Sequence, residues 1–357
     1  MKVGIPRALG YYNYYPFWHG FFEALGIEVI LSSPTTKQIL SKGSALVVSE
    51  TCVPVKVFVG HILDLLEKGV DKIYVPSIQS IDKKIYNCSK IRGLPDLIRN
   101  VIKQDFLLIE PTLDKSQKDQ GLNEYLIESV APLGITDHAK IKQASKKGWE
   151  YQNNFKIMMK NGLPFEKALK AAITGKLIIT QKATSHPISL GIIAHGYNLY
   201  DNQISMRVLE KLDKMGINAF SADMLTNEKM EEGFKTLETS IYWANEYEMT
   251  GAAGYYMTSN EIDGIVTITA FGCGPDSIMV ERITRHAKKL QKPILNLTID
   301  EHTGEAGFIT RIEAFCDMII RKKRKASLDS EKSVVGAKVV ADEDFKISLS
   351  REDFLAQ

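Results

Sequence analysis

The stretch Gly264-Ile265-Val266-Thr267-Ile268-Thr269-Ala270-Phe271-Gly272-Cys273-Gly274-Pro275-Asp276 decides how the fold is read. Gly264–Thr269 is an apolar, β-branched run of strand length. The chain then passes a cysteine between two glycines and reaches a proline. Proline suits the first turn of a helix, because its missing N–H would have had no partner there. A helical pattern over Asp276–Leu290 follows. A strand handing over to a helix through a short loop is the unit of a parallel sheet with right-handed crossovers.

The same unit recurs on either side. Toward the C-terminus the strands are Ser189–Ala194, Asn218–Ser221, Gly264–Thr269 and Ile294–Thr298, with a helix at Ser205–Lys214 and a last one from Gly304 to about Ile320. Toward the N-terminus they are Val3–Pro6, Glu28–Leu31, Ala45–Ser49, Lys72–Val75 and Phe106–Ile109. Helical patterns at Phe17–Leu25, Lys37–Lys42, Pro54–Lys68 and Leu94–Ile102 separate them. Between Asn123 and Lys176 only helical periodicity is present. The expected organisation is α/β: an N-terminal domain over 1–122, a helical connector over 123–185, a C-terminal domain over 186–321 and a tail over 322–357. Each domain carries a Rossmann- or flavodoxin-like parallel sheet, and the cleft between them is the place for a cofactor. The run Arg321-Lys322-Lys323-Arg324-Lys325 reads as a solvated helix end, where cations suit the dipole.

A chain of 357 residues has ample core for two domains, and 44% apolar with 25% charged residues is a soluble globular composition. A net charge of +2 argues against nucleic acid as a partner. No apolar run approaches the ~20 residues that span a bilayer. The N-terminus enters a strand rather than a signal peptide, so a cytoplasmic protein without a membrane partner is expected. Four cysteines without a secretory context point to metal or redox work rather than a disulfide framework.

In open α/β sheets ligands sit beyond the carboxyl ends of the strands, and three cysteines are expected there. Cys52 follows the strand at Ala45–Ser49, Cys88 lies in the loop after Lys72–Val75, and Cys273 follows Gly264–Thr269. Cys52-Val53-Pro54 and Cys273-Gly274-Pro275 each put a cysteine two residues before a helix-opening proline. Helix N-termini, with free N–H groups and the positive dipole end, favour a thiolate. Gly272 and Gly274 let the backbone come close to a bulky inorganic group. Cys316, on a helical pattern with Ile312 and Ile319, reads as a small core residue. Spacing alone leaves three readings open: unremarkable burial, an iron–sulfur cluster, or zinc. His195 and His61 are available as bases, with no motif joining them to a cysteine.

Other loops offer further candidates. Arg7 follows the first strand and suits an anionic ligand or an ion pair. His195 follows the first strand of the second domain and suits proton donation. Lys56 follows Cys52, and Thr303 opens the last helix as an anion site or a cap. The early aromatics Tyr11, Tyr12, Tyr14, Tyr15, Phe17 and Trp18 divide between core and interface.

Five motifs carry a family resemblance. They are Gly4-Ile5-Pro6-Arg7-Ala8-Leu9 with Tyr15-Pro16-Phe17-Trp18; Glu50-Thr51-Cys52-Val53-Pro54-Val55-Lys56 with Gly60-His61-Ile62; Cys88-Ser89-Lys90 with Gly93-Leu94-Pro95-Asp96; Phe271-Gly272-Cys273-Gly274-Pro275-Asp276-Ser277; and Ile299 to Gly307. In this order, over Met1 to Arg321, the chain resembles the acyl-CoA dehydratase activase-related proteins, relatives of the 2-hydroxyacyl-CoA dehydratase subunits. The resemblance implies an oxygen-sensitive [4Fe–4S] cluster ligated by Cys52, Cys88 and Cys273, with one iron left without a protein ligand. It also implies a separate ATP-hydrolysing activator that carries its own cluster and injects one low-potential electron. A homologous subunit, in a homo- or heterodimer, and an acyl-CoA or other small-molecule substrate complete the implied system. The chain has no Gly-x-x-x-x-Gly-Lys-Ser/Thr loop, so ATP hydrolysis is assigned to the partner.

Three functions follow as rivals. The chain is an electron-accepting cluster subunit of a dehydratase or reductase, with His195 and Arg7 as catalytic candidates; an accessory cluster protein docking a catalytic homologue; or a non-redox α/β binding protein with zinc or no metal.

Overall fold

The computed structural model describes residues 1–180, 186–237 and 243–325. Residues 1–305 form one compact unit, and a second begins at residue 306. The first unit opens with β1 (Lys2–Ile5), α1 (Tyr11–Ala24), β2 (Glu28–Leu31), α2 (Lys37–Ser44), α3 (Val53–Glu67) and β3 (Lys72–Tyr74). It continues through β4 (Ser77–Asp82), β5 (Ile85–Tyr86), α4 (Ser89–Arg92), α5 (Leu94–Val101), β6 (Leu107–Ile109) and β7 (Thr112–Asp114). Three helices follow, α6 (Leu122–Glu128), α7 (His138–Lys160) and α8 (Phe165–Ala172). The remainder is β8 (Ile188–Ala194), α9 (Gly196–Leu199), α10 (Val208–Lys214), β9 (Ile217–Ser221), α11 (Asn227–Leu237), α12 (Ala244–Thr258), β10 (Gly264–Ala270), α13 (Gly274–Lys289) and β11 (Ile294–Ile299).

Two parallel four-stranded sheets organise this unit, with orders β2-β1-β3-β6 and β9-β8-β10-β11. Counted from its own first strand, each sheet has the same order, second-first-third-fourth. The strand order therefore reverses beside β1 in one sheet and beside β8 in the other, the place where open α/β sheets form a crevice. The protein is α/β with two Rossmann- or flavodoxin-like sheets. Strands β8 and β10 are buried along their whole length, which is why both read as continuous apolar runs. A small third sheet, β5-β4-β7, gives no sequence signal because two of its strands are only two or three residues long.

Two expectations are corrected. Ala45–Ser49 is not a strand: it is the turn that links α2 to α3, and most of it is exposed. Its apolar, β-branched composition mimics a strand, but α2 and α3 pack too closely to let it join the sheet. A Cβ on Gly43 would lie 1.9 Å from the Lys56 carbonyl oxygen, and one on Gly60 2.0 Å from that of Ile39. The linking chain must therefore double back.

The second correction concerns α1, which begins at Tyr11 rather than Phe17 and carries Pro16 inside it. Proline cannot donate, so it normally ends or kinks a helix. Here Gln152 of α7, buried, repairs the break: Phe17 N–H donates to its Oε1 at 3.2 Å, and its Nε2 donates to the Asn13 carbonyl at 2.8 Å.

The early aromatics are core. Tyr11, Tyr12, Tyr15, Phe17 and Trp18 are buried with residues of α6 to α8, and Trp18 Nε1 donates to the Tyr125 hydroxyl at 3.1 Å. Tyr14 packs against this core partly buried.

A helix covers residues 305–325, and Arg321 to Lys325 form its exposed last turns. Cys316 is buried, at 3% exposure. Of the tail over 322–357, residues 326–357 lie outside the described residues, as do 181–185 of the connector.

Candidate functional site

All three candidate cysteines line one cavity, together with Lys90, His195, Tyr197 and Asp276. Each is the residue that starts a helix: Cys52 caps α3, Cys88 caps α4 and Cys273 caps α13. None caps through its side chain, so each thiol is left to the cavity while its backbone carbonyl begins the helix. Only Cys273 reaches this position from the end of a strand of a parallel sheet. Cys52 comes from the α2–α3 turn, and Cys88 from the small sheet, where Asn87 N–H donates to the Gln79 carbonyl at 2.9 Å and Asn87 Nδ2 to that of Ile78 at 2.8 Å.

Several contacts draw these loops together. Gly272 has φ +75°, a left-handed conformation that favours glycine, and a Cβ there would lie 3.1 Å from the Glu50 carbonyl oxygen. Lys90 Nζ donates to the Glu50 carbonyl at 3.2 Å and to the Gly272 carbonyl at 3.4 Å. Lys56, 2% exposed, donates to the Ser49 carbonyl at 2.8 Å and forms an ion pair with Glu301, just beyond β11. Gly274 faces open space: a Cβ there would meet nothing within 4 Å.

His195 caps α9 at the end of β8, and its Nε2 lies 2.8 Å from Asp276 Oδ1 in the first turn of α13. Both side chains are buried, and Asp276 Oδ2 has no hydrogen-bond partner. The His195 ring stacks on Tyr197, centroids 4.9 Å apart. Burial alone would lower the His195 pKa, but the Asp276 charge and hydrogen bond, together with the charges of Glu248 and Glu246, outweigh it and hold the imidazole above its ordinary value. Burial pushes the Cys52 and Cys273 thiols up; Lys90 opposes this at Cys52, and Asp276 reinforces it at Cys273. Burial also raises the Tyr197 phenol, and Asp276 with all three cysteines raises it further. Glu246, on the same cavity, is pushed up to about 7 by burial and by Asp276.

A second cavity, of about 730 Å3, shares His195 and Tyr197 with the first. It lies beyond the ends of β8 and β9 and is lined by Tyr12, Tyr200, Asp223 and Glu248 among others. The Tyr200 hydroxyl donates to Asp223 at 2.6 Å.

Arg7 is not among the residues lining either cavity. Its backbone N–H donates to Ser32 Oγ at 2.8 Å, its guanidinium lies 6.0 Å from the Tyr11 ring centroid, and its Nε is buried without a partner. His61 also lies off the thiol cavity. Its Nε2 contacts Thr35 Oγ1 at 2.9 Å, and burial pushes it down to about 3. Thr303 caps locally, its hydroxyl donating to Asp300 Oδ1 at 2.7 Å. Lys90, Tyr197 and Asp276 were not singled out in the sequence as site residues. The signals that could have marked them are local: a cation two residues after Cys88, an acid three after Cys273 and an aromatic two after His195. Among the described residues, no group of three or more His, Cys, Asp or Glu is placed to hold a metal ion.

Fold and site together define an α/β protein with two parallel sheets and a thiol-lined cavity at a point where the strand order reverses. The family model described as "CoA enzyme activase uncharacterised domain (DUF2229)" matches residues 2–225, and the chain belongs to this family. The match includes Arg7, Cys52, Cys88 and His195 and ends before Cys273. No curated protein matches the chain. No helix among the described residues is long and apolar enough to cross a membrane.

Proposed function

We propose that the chain is the iron–sulfur-cluster-binding subunit of an ATP-activated, low-potential electron-transfer system of the dehydratase or reductase kind, with Cys52, Cys88 and Cys273 as ligands of a [4Fe–4S] cluster. The observation that carries this reading is the convergence of three helix-capping cysteines, distant in sequence, on one cavity. Helix N-termini offer N–H groups and a positive dipole end to an anionic group. Thiols raised by burial, as at Cys52 and Cys273, would give up their protons on binding iron. Gly274 leaves room on the cavity side of the Cys273 loop.

When bound, such a cluster supplies one-electron transfer. The chain's own residues hold it, screen it from water and present a proton. His195, oriented by Asp276 and shared by both cavities, is the proton donor of this reading, and the larger cavity is the chamber for a small molecule. Arg7 has no contact with either cavity that would support a catalytic role. The electron comes from a separate ATP-hydrolysing activator with its own cluster, and a homologous subunit completes the complex.

The test is anaerobic purification of the full chain with iron and acid-labile sulfide analysis and electron paramagnetic resonance. A brown protein with iron and sulfide in similar amounts, and a reducible paramagnetic signal, is expected. Colourless protein lacking both after anaerobic reconstitution refutes the reading.

A further inference from the structure

Among the described residues that line the thiol cavity, Lys90 is the only Lys or Arg. Its neighbours there include two acids, Asp276 and Glu246, and three cysteines. It stands two residues after Cys88, and its ammonium donates to the carbonyl of Glu50, two residues before Cys52, and to that of Gly272, the residue before Cys273. One side chain from the Cys88 turn therefore ties down the loops of both other cysteines. At Cys52 it is the strongest influence acting against burial.

We infer that Lys90 is the positioning residue of this site: its ammonium holds the three cysteine loops in register and supplies the positive charge that an anionic group among them requires. The second half of this inference rests on the cluster reading, whereas the first does not. An ammonium beside acids and cysteine sulfurs acts on an anionic centre through space, and more strongly where the surroundings are partly buried.

The experiment uses the full chain with Cys316→Ala, so that only the three cavity thiols react, in three forms: Lys90→Met, Lys90→Gln and Lys90→Arg. In metal-free protein, dibromobimane bridging of Cys52 to Cys273 is mapped by mass spectrometry. Several-fold less bridged product is expected for Lys90→Met, and near-parental yield for Lys90→Arg. In reconstituted protein, the midpoint potential is expected to fall for Lys90→Met and Lys90→Gln and to recover for Lys90→Arg, since only arginine restores the charge. Unchanged bridging in Lys90→Met overturns the positioning role. An unchanged potential at full iron content overturns the electrostatic role. If the parental protein takes up no iron while bridging still depends on Lys90, the cluster reading fails and the positioning role stands.

Discussion

His195 Nε2 and Asp276 Oδ1 meet at 2.8 Å, joining the end of β8 to the first turn of α13 beside Cys273. The two side chains are 8% and 1% exposed, so water screens the pair poorly and each group depends on the other. The imidazole is held protonated to higher pH than an ordinary histidine, because Asp276, with the charges of Glu248 and Glu246, more than offsets burial.

Replacing Asp276 with Asn removes the largest charge that opposes burial, so the His195 pKa falls. The sign for stability follows. With a raised folded pKa, His195 contributes stability that is full below its unfolded value of about 6.5 and is lost as pH rises through the folded pKa. Metal-free Asp276→Asn should show a weaker dependence. An NMR titration of the His195 ring, with urea unfolding across the same pH range, checks both. A His195 titration unchanged by the substitution rules the coupling out.

Cys52→Ala, Cys88→Ala and Cys273→Ala should each abolish the paramagnetic signal of reconstituted protein and sharply lower bound iron, whereas Cys316→Ala should leave both intact. Iron analysis after desalting reads the outcome. Full iron in any of the first three removes that cysteine from the ligand set.

Lys56→Met should free the turn that presents Cys52. Its buried ammonium holds the Ser49 carbonyl and pairs with Glu301, and hydrogen bonds to charged groups contribute about 1.5–3 kcal/mol each. The expected result is a stability loss on the order of 2 kcal/mol with faster amide exchange over residues 45–52. Denaturant unfolding and hydrogen–deuterium exchange measure the two; unaltered exchange in that segment contradicts the prediction.

Gln152→Ala should weaken the contact of α1 with α7, because it strands the Phe17 N–H and the Asn13 carbonyl beside Pro16. Each unsatisfied buried group costs about 1–3 kcal/mol, so the two together predict a loss of about 2–6 kcal/mol in urea unfolding. Pairing Gln152→Ala with Pro16→Ala should recover part of it, since a residue that can donate restores the helix ladder at position 16. No recovery in the double variant would mean that the proline is not the reason for the glutamine.

The α/β class, most strands and the three cysteines were legible in the chain because their signals are local. A strand buried on both faces, such as β10, reads as an unbroken apolar run, and a cysteine two residues before proline marks a helix start. Ala45–Ser49 misled for the same reason: its composition is that of a strand, while the close approach of α2 and α3 at Gly43 and Gly60 makes it a turn. Which loops meet was decided only in three dimensions. Lys90 reaches Gly272 across 182 residues and His195 reaches Asp276 across 81, and no periodicity within a segment encodes such pairings. Local patterning thus determined what each segment is, and the packing of two sheets determined which side chains became neighbours, because burial is recorded along the chain and contact is not.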